Sequence, residues 1–290
     1  MVDRTPPTRV LVTGAAGRIG RAATQLLGDR GIAVTALALQ YDQPLEADRV
    51  LVGDATDPAA VAEALEGVDA VVHLAAIAHR DAGKPYDVYR TNVVSTFNVL
   101  SQAGQRGIRR AVIASSINAF GVPMNHHDVA PAYFPIDEEI PVDIDDWYSL
   151  SKKSDELTAQ MVARHWGVDV AALRFPLVDT ATSLLRIRGV VEGDPATRMR
   201  EGWAYLDLRD AAEAIYRSLV AEWTGAVVVG LSAADTLMAR PTAELVREFA
   251  PDVEVRGELT ERQPLIDTTR ARDILGFRPQ YSVNDERHDA

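Results

Sequence analysis

The sequence predicts an α/β protein in which a doubly wound parallel sheet carries a small C-terminal cap. Short apolar runs alternate with helical patterns up to Arg174, and a glycine-rich turn joins the first run to the first helix. Beyond Arg174 this alternation weakens. Strands that are apolar on both faces and separated by helices are typical of a parallel sheet covered on both sides, with right-handed crossovers.

The predicted strands are short apolar runs: 9–13, 33–39, 50–52, 70–74, 111–114, 168–173, 226–229 and 253–255. The predicted helices repeat apolar residues every three or four positions: 18–29, 58–65, 86–106, 148–166, 206–220, 242–249 and 269–275. The stretch 176–200 is mixed and shows neither pattern. We therefore assign 1–176 and 204–232 to the main domain, 177–203 and 233–283 to the cap, and 284–290 to a polar tail.

Composition narrows the functional classes. The chain has 290 residues, a net charge of −12 and no cysteine, which excludes disulfides, thiolate nucleophiles and Cys-ligated metals. An acidic chain without a basic patch is not expected to bind nucleic acid or an anionic membrane. No signal peptide or membrane span is recognised, so a soluble, cytoplasmic protein is expected. The adjacent His126 and His127 lack metal-ligand spacing, and we expect no metal.

The glycine-rich turn predicts a phosphate-binding site. Gly14 and Gly17 lie between the first strand and the first helix, and Gly20 lies in the first turn of that helix. Glycines there permit a tight turn and let backbone N–H groups approach a diphosphate at the helix N-terminus. The alternative is an ordinary glycine-rich turn, but the position near the start of an alternating α/β pattern favours a dinucleotide site in a Rossmann-type sheet.

The expected cofactor is NAD or NADP. The second strand ends at Ala38-Leu39-Gln40, without the acidic residue that usually binds the ribose hydroxyls of NAD. This absence favours NADP weakly, with Arg18 as a candidate partner for its 2′-phosphate. Asp54 follows the third strand and is a candidate adenine contact, although an acid there can also close a turn. Asp57, directly before Pro58, fits a helix N-cap better.

Tyr148 and Lys152 are the candidate chemical pair. Their four-residue spacing places phenol and ammonium on one face of a helix. A nearby ammonium favours the phenolate of a tyrosine, whose ordinary pKa of about 10 makes it a poor base. An exposed Tyr–Lys pair is the alternative. Ser116 follows the fifth strand, where it can bind a substrate oxygen, and Asn92 lies within a helix, where it either holds a water near Lys152 or marks a kink.

Together these residues resemble the extended short-chain dehydrogenases/reductases, also described as the NAD-dependent epimerase/dehydratase family. The motifs are TGAAGRIG (13–20), HLAA (73–76), SSINAFG (115–121), YSLSK (148–152) and LRFP (173–176). The resemblance implies that Tyr148 is the general acid/base, Lys152 the ribose anchor, Ser116 the substrate partner and Asn92 a structural and proton-relay residue. The cofactor contacts expected on this basis are Gly14, Gly17, Arg18, Ile19, Gly20, Asp54, Ala55, Leu74, Ala75, Ala76, Asn92, Ala114, Tyr148, Lys152 and Pro176.

The resemblance implies an NAD(P)-dependent oxidoreductase acting on a hydroxyl-bearing carbon of a carbohydrate-like substrate. A UDP-sugar 4-epimerase that retains NAD is the alternative, and a cofactor-sensing binding protein is a third. Ser116-Ile117-Asn118 replaces the Thr-Asp-Glu of sugar-nucleotide dehydratases, and a Cys/His epimerase is excluded. The short segment 177–203 favours a small substrate, with its arginines as candidate anion partners. The helices that carry Asn92 and Tyr148 pack between subunits in many relatives, so a homodimer is implied.

Overall fold

The computed structural model describes residues 4–285. Its strands are β1 (Arg9–Thr13), β2 (Ala33–Ala38), β3 (Arg49–Val52), β4 (Ala70–His73), β5 (Arg110–Ser116), β6 (Tyr133–Phe134), β7 (Asp169–Phe175), β8 (Leu177–Asp179), β9 (Tyr205–Asp207), β10 (Ala226–Gly230) and β11 (Glu254–Val255). Its α-helices are α1 (Arg18–Asp29), α2 (Pro58–Ala64), α3 (Pro85–Gln105), α4 (Trp147–Trp166), α5 (Ala181–Val191), α6 (Leu208–Val220), α7 (Thr242–Phe249) and α8 (Thr269–Leu275).

Seven strands form one parallel sheet in the order β10-β7-β5-β4-β1-β2-β3. The chain builds outward from β1 through β2 to β3 and then returns to the other side of β1 with β4. This reversal between β1 and β4 creates a crevice at the carboxyl ends of the strands, where ligands bind in doubly wound sheets. The predicted fold class is therefore confirmed.

Alternating residues of β1 divide the main core between the two faces of the sheet. Val10 and Val12 pack in one apolar cluster with α1 and α6, whereas Leu11 lies in a second cluster with α3 and α4. Successive side chains of a strand point to opposite faces, so an unbroken apolar run buries both. Helices therefore cover the sheet on both sides, as the near-continuous apolar strands predicted.

A third apolar cluster lies beyond the carboxyl edge of the sheet. It includes Phe134, Trp203, Tyr205 and Leu265, all fully buried. Two short parallel pairs, β8 with β9 and β6 with β11, hold the segments that contribute to it. The predicted strand at 253–255 is β11. The division into domain and cap at the boundaries given above stays a prediction.

Two details of the sequence prediction were wrong. Segment 176–200 contains α5, for which no helix was predicted. Its apolar stripe is weak and interrupted by Gly189, but the Thr180 side chain caps it by accepting the N–H of Ser183. The helix predicted from 206 begins at Leu208, because Asp207 caps it by accepting the N–H of Arg209, while residues 205–207 form β9.

The C-terminal segment is held by hydrogen bonds as far as it is described. The Asn284 amide donates to Asp235 Oδ2 at 2.7 Å and to the Thr236 carbonyl at 3.1 Å. Residues 286–290 of the predicted polar tail lie outside the described residues. From residue 4 to residue 285, no helix has the length and apolar character needed to cross a membrane.

Candidate active site

A cleft of about 930 Å³ follows the carboxyl edge of the sheet. At one end it is bordered by the glycine-rich turn, and along one wall by the end of β5 and the start of α4. The predicted catalytic and cofactor-binding residues all line this cleft, apart from Asn92. The fold therefore brings together side chains that are separated by more than 130 positions between Gly14 and Lys152.

The glycine-rich turn fits a diphosphate. Gly14 has a φ of +66°, and a Cβ there would lie 2.7 Å from the Ala75 backbone nitrogen; a Cβ on Gly20 would lie 2.3 Å from the Gly14 carbonyl oxygen. Either side chain would displace the turn. No described side chain caps α1, and its first turn contains no acid. The N–H groups at the start of α1 therefore face an anion-binding position, as a dinucleotide requires.

The adenine side of the cleft has little charge. Ala38, Leu39 and Gln40 line it at the end of β2, together with Asp54. Asp54 also closes its own turn, because its Oδ1 accepts the Thr56 N–H at 2.8 Å. Asp57 is the N-cap of α2, accepting the Ala59 N–H at 3.0 Å. Adenine recognition by Asp54 stays a prediction, while the predicted cap at Asp57 is present.

Arg18 contacts the opposite side of the cleft from the end of β2. Its guanidinium pairs with the carboxylate of Asp179, at the end of β8. That segment follows β7, and β7 and β2 lie on opposite sides of β1 in the sheet. This arrangement gives no support to the predicted contact of Arg18 with an adenosine 2′-phosphate.

Tyr148 and Lys152 lie on the cleft-facing side of α4. The helix begins beside them because Asp146 accepts the N–H groups of Tyr148 and Ser149, both at 2.9 Å. Lys152 Nζ lies 6.0 Å from the centre of the Tyr148 ring. The same ammonium donates to the Ala114 carbonyl at 2.8 Å and to Asp155 at 3.3 Å. A positive charge is therefore fixed near the phenol.

Ser116 completes this wall at the end of β5. Its Oγ accepts the backbone N–H and the side-chain amide of Asn118, both at 3.1 Å. A hydroxyl that accepts in this way keeps its own hydrogen for another partner. Since Ser116 lines the cleft, that hydrogen can be donated to a substrate oxygen beside Tyr148.

Asn92 is fully buried behind the cleft. Its carbonyl oxygen accepts the Ile77 N–H at 2.8 Å, and its amide donates to the Ile77 carbonyl at 3.1 Å and to Ser151 Oγ at 3.0 Å. Asn92 thus ties the loop after β4 to α4, while α3 continues through it. The structure does not bring it to the cleft surface, and both predicted roles, relay and cofactor contact, stay predictions.

Comparison with known proteins identifies the family. The model of the NAD dependent epimerase/dehydratase family matches residues 10–230. The chain belongs to this family. It is 29% identical over 175 residues to the uronate dehydrogenase of Pseudomonas putida, covering 59% of this chain and 61% of that protein. The matched stretch thus spans about three fifths of that relative.

Two further proteins show the range of relatives. The L-arabinose 1-dehydrogenase (NAD(P)(+)) of Haloferax volcanii is 32% identical over 178 residues, covering 60% of this chain and 68% of that protein. The structure of UDP-glucose 4-epimerase from Thermotoga maritima with UDP-glucose superposes with a TM-score of 0.70 at 19% identity, covering 95% and 94% of the two chains. At that identity the superposition shows a shared fold.

Basic residues gather at the end of the cleft away from the glycine turn. Arg80, Arg198 and Arg200 line it there, so that five lining residues are basic and two acidic, although the whole chain carries −12. The arginines of segment 177–203 were predicted as anion partners. Arg198 and Arg200 line the cleft, whereas Arg186 and Arg188 do not. Sequence reasoning missed Arg80, which lies in a polar loop without a motif.

A buried ion cluster behind Ser116 was also missed. Glu156 accepts two hydrogen bonds from Arg174, at 2.8 and 3.0 Å, one from Ser115 at 2.8 Å and one from Lys153 at 3.2 Å. Burial by itself raises the pKa of Glu156, but the hydrogen bonds and charge of Arg174 hold it below the ordinary value. This cluster joins β5, α4 and β7 beneath the cleft wall.

Among residues 4–285, no group of three or more His, Cys, Asp or Glu side chains is arranged to hold a metal ion. His126 and His127 instead contact acids on the neighbouring loop, with His126 Nδ1 3.2 Å from Asp145 and His127 Nε2 3.1 Å from Asp143.

Proposed function

We propose that the protein is an NAD(P)-dependent oxidoreductase that moves a hydride between the nicotinamide and a hydroxyl-bearing carbon of a sugar-like substrate. One observation carries the proposal: Ser116, Tyr148 and Lys152 line one wall of a cleft whose other end is a glycine turn shaped for a diphosphate. Membership of the NAD dependent epimerase/dehydratase family supports it.

Each residue has a defined task in this proposal. The bound cofactor supplies a hydride acceptor. Ser116 donates its hydroxyl hydrogen to the substrate oxygen and so holds that oxygen beside Tyr148. The Tyr148 phenolate takes the proton of the substrate hydroxyl as general base, and the Lys152 ammonium favours the phenolate by its positive charge. Pro176 lines the same cleft and would form part of the wall beside the nicotinamide.

We infer that the substrate is a small sugar acid. The end of the cleft beyond Ser116 is lined by Arg80, Arg198 and Arg200, and a guanidinium matches a carboxylate in charge and geometry. Arg198 pairs with Glu201, which also lines the cleft, and Arg200 pairs with the exposed Asp128. The relationship to a uronate dehydrogenase points in the same direction.

A nucleotide-sugar 4-epimerase with retained NAD is the second candidate, because the fold superposes on UDP-glucose 4-epimerase over nearly its whole length. An epimerase oxidises and re-reduces one carbon, so it forms no net NAD(P)H at steady state. Absorbance of NAD(P)H during turnover separates the two candidates.

The test is an activity screen of the purified full chain. NAD⁺ and NADP⁺ are each combined with aldoses, the matching uronates and UDP-sugars, and NAD(P)H formation is followed. We expect net formation with a uronate and its loss in Tyr148→Phe, while Tyr86→Phe, an exposed tyrosine on α3, keeps full activity. Full activity of Tyr148→Phe would refute the assignment of the base.

We also propose that the protein is a homodimer formed through α3 and α4. These two helices pack together and expose the apolar side chains Val94, Phe97, Leu150, Leu157 and Met161. A contiguous exposed apolar face of this kind marks an interaction surface. Sedimentation equilibrium is expected to show that the full wild-type chain is a dimer and that the Leu157→Glu variant is a monomer. A monomeric wild type would contradict the proposal.

A cytoplasmic location stays a prediction.

A further inference from the structure

A line of buried polar side chains connects the glycine turn to Lys152 through the interior. Thr13 Oγ1 lies 2.7 Å from His73 Nδ1, and His73 Nε2 lies 3.2 Å from Thr96 Oγ1. The Thr96 side chain faces the carboxyl of Asp155, whose Oδ2 is 3.3 Å from Lys152 Nζ, while Asp155 Oδ1 makes no hydrogen bond to a described residue. Burial raises the pKa of Asp155, and the charge of Lys152 acts against this rise. These five residues come from β1, β4, α3 and α4, and all are buried.

The chemistry of the groups fixes the direction of the hydrogen bonds. Thr13 Oγ1 accepts the Ala75 N–H at 3.3 Å and has its own hydrogen to donate to His73 Nδ1. The Nε2–H of His73 then donates to Thr96 Oγ1. Burial, with a smaller contribution from the Lys152 charge, lowers the pKa of His73 to about 3, so the ring is neutral and has one N–H.

The surroundings of Asp155 leave Lys152 as its cationic partner. The neighbouring Glu156 is engaged by Arg174 and Lys153 and adds only negative charge. The groups that face Lys152 are Asp155 and Tyr148 from α4, the neutral His73 from β4 and the Ala114 carbonyl from β5. Of the described acidic side chains, Asp155 alone makes an ion pair with this ammonium.

We propose that Asp155 is a positioning residue that keeps the Lys152 ammonium charged and fixed against the cleft wall. Burial disfavours the charged form of a lysine, and an adjacent carboxylate restores it. Without the carboxylate, the buried ammonium retains only the Ala114 carbonyl as acceptor. The consequence for catalysis rests on the proposed function, because Lys152 acts there through Tyr148.

The lysine content of this chain allows a direct test without cofactor or substrate. The 290 residues contain only three lysines: Lys84, Lys152 and Lys153. The full chain labelled with ¹³Cε-lysine therefore gives three signals, and the one missing from Lys152→Arg is assigned to Lys152. Titration from neutral to alkaline pH then reports each ammonium separately.

In Asp155→Asn we expect the Lys152 signal to titrate at least about one pH unit lower than in the wild type. Lys153, which pairs with Glu156, and the solvent-accessible Lys84 serve as internal controls and keep their titration. Asp210→Asn removes a buried carboxylate from α6, outside the cleft, and leaves all three signals unchanged. An unchanged Lys152 titration in folded Asp155→Asn would overturn the proposal.

Asp155→Glu provides a second variant, which keeps a carboxylate at this position. Its Lys152 titration is expected to lie closer to that of the wild type than the titration in Asp155→Asn. If the lysine shifts occur while the wild type turns over no substrate, the proposed function fails and the role of Asp155 stands. If the wild type turns over substrate but the Lys152 signal does not shift in Asp155→Asn, the proposed function stands and the role of Asp155 fails.

Discussion

Arg18 and Asp179 form an ion pair across the cleft, joining the first turn of α1 to the end of β8. The carboxylate is almost completely buried, whereas the arginine side chain is two thirds exposed, at 67%. Without a dinucleotide, the charge of Arg18 is therefore directed at a protein carboxylate. A diphosphate at the start of α1 would compete with Asp179 for the same guanidinium.

This competition predicts opposite effects of two substitutions on cofactor affinity. Arg18→Gln removes the cation and should raise the Kd for NAD(P)H about tenfold, the effect of one lost charge-assisted hydrogen bond. Asp179→Asn releases Arg18 and removes a nearby negative charge, and should lower the Kd severalfold. Fluorescence titration measures both. Equal weakening by the two substitutions would show that the pair acts as a unit in binding.

The end of β2 predicts which cofactor is accepted. Ala38, the last residue of β2, lines the cleft where an acid usually binds the ribose hydroxyls. Ala38→Asp places a negative charge there, so its Kd for NADPH should rise at least about tenfold relative to that for NADH. Ala38→Asn is the matched uncharged control and should change the ratio little. A ratio that is equally altered in both variants would indicate a steric effect.

Local patterns predicted the parts of this fold that local chemistry determines. The strand, glycine turn and helix at residues 9–29 are contiguous, and their apolar spacing and glycines suffice to define them. The helix α5 was missed because its apolar stripe is weak and its stability depends on packing against the third apolar cluster.

Long-range contacts explain what the sequence left open at the site. The sequence shows His73 only as part of the apolar run 70–74 and the HLAA motif, yet its two ring nitrogens contact Thr13 and Thr96 from different elements. Asn92 was placed in the site, but the tertiary fold turns its amide toward Ile77 and Ser151. No spacing rule within one helix or strand can predict partners from three elements.

The buried Glu156 cluster predicts a large and asymmetric stability effect. Glu156→Gln leaves Arg174 buried without a counter-charge and should lower the free energy of unfolding by about 3–5 kcal/mol. Lys153→Met removes only the more exposed partner and should cost less than about 1 kcal/mol. Urea unfolding at neutral pH measures both. Similar losses for the two variants would contradict a dominant Arg174–Glu156 pair.

Asp210 predicts how stability changes with pH. Its carboxylate accepts the N–H groups of Gln280 and Tyr281, but burial dominates and raises its pKa to about 6. Between the unfolded value near 3.8 and about 6 the folded state binds more protons, so this group favours folding at low pH and loses that contribution as pH rises.

Asp210→Asn removes this titration while keeping an oxygen acceptor. The free energy of unfolding of the wild type minus that of the variant should therefore fall by about 2–3 kcal/mol as pH rises from about 4 to above 6. Taking the difference cancels the other titrating groups that the two proteins share. Urea unfolding at a series of pH values measures it. A difference that stays constant or rises with pH would show that the backbone donors, rather than burial, control this carboxylate.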